Sequence, residues 1–154
     1  MIKKPRLKDG TANTIPVNIA QQMTQAYRDN QKKLGETDFT EAAWYPATQI
    51  LQLAKKLTAC KADGLRIYFA RYTEEIINQI NKLPYGDVVS ENYKDMDTLL
   101  LVITKIVNGV PRTDYFTDKQ LTKHYGGVGA DPYDPENRAD LCPDQCNTKS
   151  PLMQ

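Results

Sequence analysis

The stretch that decides the fold is "GLRIYFARY", residues 64–72. β-Branched and aromatic residues are dense in it, and Leu65, Ile67 and Phe69 alternate with Arg66, Tyr68 and Ala70. Alternation with a period of two marks a half-buried strand. The spacing predicts a core face made of Leu65, Ile67 and Phe69. The opposite face is expected to be a half-exposed surface carrying Tyr68, with Tyr72 at the strand's end.

Downstream lies "DTLLLVITKIVNGVPRTDYF", residues 97–116, a hairpin signal. An apolar run meets Asn108-Gly109, a dipeptide suited to the tight turns that join antiparallel strands. Leu99 to Ile103 is apolar on both faces, as a central strand requires. Pro111 cannot donate to a ladder, which places the return strand at an edge or at a bulge. Three strands, around 64–72, 98–106 and 110–116, therefore form a small antiparallel sheet.

Helical patterns flank this sheet. Pro16 to Leu34 carries Ile15, Ile19, Met23 and Tyr27 as an apolar stripe, and Gly35 is placed as a stop. Residues 36–46 (ETDFTEAAWYP) read as irregular or extended. Residues 47–58 predict a second helix with Ile50, Leu51, Ala54 and Leu57 buried and Lys55 and Lys56 facing water. Residues 73–83 predict a third, opened by Thr73 with Glu74 and Glu75 in its first turn. The expected class is α+β: N-terminal helices packed on a small, mainly antiparallel sheet, with a long irregular C-terminal tail. One domain is expected over 1–154, with a basic arm (1–14), a helix and sheet body (15–116) and the tail (117–154). The tail holds a short helical pattern at 118–124. It is expected to fold back, with Leu141 and its cysteines docking on the body.

The 154 residues carry a net charge of +1 at pH 7, which argues against a dedicated nucleic-acid binder. The charge is nevertheless polarised. Residues 1–34 hold seven basic groups, among them Lys3, Lys4, Arg6 and Lys8, against two acids, a net of +5. Residues 131–154 hold five acids, among them Asp131, Asp134 and Glu136, against two bases, a net of −3. Ends of opposite sign can attract within a chain or head-to-tail between copies. No apolar stretch approaches the ~18 residues of a membrane helix, and the charged start has no apolar run after it. The expected compartment is the cytoplasm, and no membrane partner is expected.

Motifs that would carry chemistry are few. Cys142 and Cys146 lie four positions apart in "LCPDQC", whereas redox dithiols and zinc knuckles favour a spacing of three. A zinc site would have to recruit Cys60 and His124 as well, and these ligands are scattered. Two readings remain for the pair: small, partly buried anchors for the tail, or a local disulfide. "ADPYDPENRAD" at 130–140 lacks the ligand spacing of a calcium loop, and "YGGVGA" at 125–130 fits no phosphate-binding loop. His124 is the single histidine, so every Ser-His or Cys-His mechanism would need it. No catalytic residue and no cofactor is assigned.

"ADGLRIYFARY", "TLLLVITK", "AAWYP" and "ENRADLCPDQC" together resemble a group of small bacterial proteins of uncharacterised activity. These share a DGxRIYFxRY strand and a C-terminal LCPxxC motif. The resemblance spans about residues 42 to 146, departs at Ala70 and Asp144, and implies a shared fold and an ordered tail without supplying chemistry. The functional expectation is a non-enzymatic structural or interaction protein that associates with itself or with another protein. Its interface would use Lys3, Lys4, Arg6, Lys8, Tyr68, Tyr72, Asp131, Asp134 and Glu136. The alternative is a small-ligand or metal-binding domain using His124, Cys142, Cys146 and the acidic loop. A nucleic-acid role for the arm with Arg66 and Arg71 is disfavoured by the charge balance.

Overall fold

The structure, a computed structural model, describes residues 13–116, 133–143 and 145–154. The chain is α+β. Among the described residues the elements run α1 (Val17–Lys33), β1 (Ala42–Trp44), α2 (Ala47–Ala59), β2 (Gly64–Arg71), α3 (Glu74–Asn81), β3 (Asp97–Val107), β4 (Val110–Asp114) and β5 (Asp140–Cys142). The basic arm to residue 12, the helical pattern at 118–124 and the glycine-rich stretch lie outside the described residues.

Two compact units emerge, Asp38–Cys146 and a smaller one made of Met1–Thr37 with Asn147–Gln154. In the smaller unit α1 holds the segment 147–154 through polar contacts. Arg28, buried on the helix, donates to the main-chain oxygens of Leu152 (3.0 Å) and Gln154 (2.8 Å), and Gln21 donates to that of Pro151 (3.2 Å). Ile15, Ile19, Met23 and Tyr27, expected to be core, are exposed. Within this unit the helix meets its described neighbour by arginine and glutamine, so the apolar stripe is not what the packing uses.

The larger unit contains a three-stranded antiparallel sheet in the order β2-β3-β4. Asn108 and Gly109 turn the hairpin with φ of 50° and 77°, the left-handed pair that matches strand twist. β4 lies at the sheet's end, and the β3–β4 ladder shifts register between Lys105 and Val107, so Pro111 sits on an edge strand beside a bulge. A second, two-stranded sheet pairs β1 with β5, Ala43 opposite Leu141. The tail thus returns to the body, and the Glu136 and Leu101 main chains exchange two hydrogen bonds of 2.9 Å.

Two cores result. In one, Ile77 of α3 packs with Tyr72, Val89, Tyr93, Met96, Ala139 and Leu141. Thr73 opens α3 by accepting from the Ile76 amide at 3.2 Å, as the cap pattern predicts. In the other, Leu53 and Leu57 of α2 with Cys60 cover Leu101 and Ile103 of β3. The buried side of α2 differs from the expected one, since Ile50 and Leu51 are exposed and Leu53 is buried. The reason lies in the tail: Lys56 donates to Glu136 at 2.6 Å and Gln49 donates to it at 2.9 Å. These pairs turn the 49/53/56/57/60 stripe inward.

Candidate interaction surface

The ladder between β2 and β3 sets which side chains share a face. Leu65 stands opposite Ile103, Ile67 opposite Leu101 and Phe69 opposite Leu99, and residues directly opposite project to the same side. Leu101 and Ile103 are each 4% exposed beneath α2. Beside them Ile67 is 52% and Phe69 89% exposed, and Leu65 is also exposed. The strand alternates as its sequence predicts, but the face expected to be core is bare. A helix of 13 residues covers the central strand and stops short of β2.

The opposite face of β2 is closed by polar contacts. Arg66 donates to Asp114 (2.6 Å), to the Arg112 carbonyl (2.6 Å) and to the Tyr68 hydroxyl (3.0 Å), and Tyr68 donates to Asp114. This clamp runs from β2 over β3 to β4, with Val102, opposite Arg66, buried. Arg71 and Asp97 pair at 2.8 Å at the far end. The polar partners of β2 therefore belong to its own sheet, and what remains for another molecule is apolar.

β2 also ends the sheet. Among the described residues, its pairing is with β3 alone. At its end the Tyr72 amide donates to Met96 (3.0 Å) and the Tyr72 carbonyl accepts from Asp95 (2.7 Å). Antiparallel ladders alternate, so Tyr72, Ala70, Tyr68 and Arg66 turn their amides to β3. Leu65, Ile67 and Phe69 turn theirs outward, along the edge that bears their exposed side chains.

The other sequence-derived site residues are placed as follows. Lys3, Lys4, Arg6, Lys8, Asp131 and His124 lie outside the described residues. Tyr68 is on the surface. Tyr72 is 1% exposed, a correction to its expected surface role: it stacks on Tyr93, ring centroids 6.3 Å apart, and donates to Asn137. The strand ends at Arg71, and the side chain at 72 falls under the returning tail. Asp134 is half-buried. Glu136 is a buttress within the chain, holding Lys56 and Gln49. Cys142 and Cys146 are joined in a disulfide with a Cα–Cα distance of 5.1 Å, so neither sulfur is a thiolate ligand here. Cys142 is buried and Leu141 is 0% exposed, so this end of the tail is anchored on the body.

A polar network sits under the tail. Asn137 donates to the Leu99 carbonyl (2.7 Å) and to Thr98 (3.3 Å), and Tyr45 donates to the Leu99 carbonyl (3.2 Å). Burial pushes the Tyr45 phenol up to about 12, with the Tyr72 and Glu136 oxygens adding to it. Burial also raises Tyr72, against the lowering effect of its hydrogen bonds. Among the described residues no buried polar side-chain atom lacks a partner and no three His, Cys, Asp or Glu side chains converge on a metal position. This network is satisfied structure, without an open mouth for substrate. No helix of the described residues is long and apolar enough to cross a membrane.

No protein family, curated protein or solved structure matches the chain.

Proposed function

We propose that this chain is a non-enzymatic interaction protein that associates with copies of itself. The observation that supports the reading is the bare apolar face of β2 on an outward-turned edge, with Phe69 almost fully in water. Exposed apolar edge strands template pairing with another chain, and monomers blunt them with charge, proline or cover. β2 has none of these at Leu65, Ile67 or Phe69. The polarised ends, +5 over residues 1–34 and −3 over 131–154, support the same reading by steering one copy toward another. Mass photometry over a range of protein and salt concentrations tests it. Concentration-dependent assembly is expected, weakened by salt where the charged ends contribute. A monomer at every concentration and ionic strength overturns it.

A further inference from the structure

We infer that β2 pairs antiparallel with β2 of a second copy, with Ile67 on the two-fold axis, so that two three-stranded sheets become one of six strands. The inference rests on the self-association reading above and specifies its contact.

Strand parity restricts the join. Outward amides must meet outward amides, and apolar side chains must stay on one face; a slip of one residue breaks both conditions. Only shifts in steps of two residues remain. With Ile67 opposite Ile67 of the second copy, Leu65 meets Phe69 and Phe69 meets Leu65, so all three exposed apolar residues face apolar partners. Moving the axis to Tyr68 sets Leu65 against Arg71. Moving it to Arg66 sets Arg66 against itself and Phe69 level with Asp63. The Ile67 register is the one in which no like charges oppose: Arg66 lies across from Tyr68, and Arg71 lies level with Asp63 of the second copy. Opposite charges across a ladder stabilise it and like charges disfavour it. An arginine over a tyrosine ring adds attraction, and Arg66 already lies 5.7 Å from its own Tyr68 ring. A two-fold contact needs a self-complementary patch, which this strand supplies from its own order of residues.

The full chain is tested in two ways. Isotope-filtered NOE spectra of an equimolar mixture of labelled and unlabelled protein should show contacts between copies from Leu65 to Phe69 and from Ile67 to Ile67. Phe69→Lys should raise the dimer dissociation constant roughly 30-fold or more, as for a central interface residue. Its circular dichroism and thermal unfolding should stay as in the parent, because residue 69 is bare. A dimer whose intermolecular contacts fall elsewhere, or in which Phe69→Lys changes nothing, overturns the β2 join and leaves self-association standing. A strict monomer overturns both, including one whose β2 contacts another segment of the same molecule.

Discussion

Leu101 of β3 and Ile67 of β2 stand opposite one another on one ladder and project from the same side of one sheet. One is 4% exposed, the other 52%. Both are aliphatic, both sit in strong β patterns, and neither its own residue type nor its strand's alternation separates them. The difference is what lies above. Leu53, Leu57 and Cys60 cover β3, and the same helix leaves β2 open. Periodicity tells which residues share a face; it does not tell whether a second layer reaches them. An apolar face can thus hold its own fold together at one strand and offer itself to a neighbour at the next.

Substitution breaks this comparison most sharply. On the Phe69→Lys background, where association does not enter, Leu101→Ala is expected to cost about 2–5 kcal/mol by urea unfolding, as for a leucine removed from a packed core. Ile67→Ala on that background should cost well under half as much. Equal costs would mean that β2 is covered and the contrast is false.

Next in size is an alkaline effect on the covered side. Tyr45 is held up to about 12 when folded, against an ordinary value of 10.0. The folded state therefore keeps a proton that the unfolded chain releases. Its contribution is complete below pH 10 and is lost as pH rises toward 12, up to about 2–3 kcal/mol for a shift of this size. Urea midpoints measured between those limits should fall more steeply for the parent than for Tyr45→Phe. Parallel slopes would place the phenol in water.

The disulfide comes third. It closes a short loop of sequence separation 4. Cys146→Ser should lower stability by roughly 2 kcal/mol on chain-entropy grounds, read as a shift in urea midpoint, while β5 stays paired because Leu141 holds it. Identical midpoints for the parent with and without reductant would show that the loop does not constrain the unfolded chain.

The smallest expected effect is the sharpest for the bare side. Phe69→Ser should leave folding stability within about 0.5 kcal/mol, as for surface positions away from caps and cores, while lowering assembly in mass photometry. A large loss of stability would show that Phe69 packs within the monomer.

The sequence made much of this legible. Helices expected at 16–34, 47–58 and 73–83 lie at Val17–Lys33, Ala47–Ala59 and Glu74–Asn81. The central strand, the Asn108-Gly109 turn and the edge position of Pro111 follow from local chemistry and are found. The β1–β5 pair was not legible. Three-residue strands are too short for a period to show, and their partners lie about a hundred residues apart, Ala42 against Cys142. The inward turn of α2 depends on Glu136 meeting Lys56, again a distant event. Tyr72 was misplaced because tyrosine density suggests surface, whereas Asn137 supplies the partner that lets this hydroxyl be buried. The exposed face of β2 could have been suspected from one count: the body has two helices, and α3 is spent on the core under the tail.

The returning tail has a consequence for how the chain could be cut. Glu136 is bonded to Leu101, Asn137 to Leu99, and β5 lies along β1, all without help from the peptide link between residues 116 and 133. A polypeptide ending at 116 and a separate peptide beginning at 133 carry complementary halves of these contacts. The two halves should reassemble when mixed, which would make the molecule a natural split reporter whose signal depends on a tail added in trans.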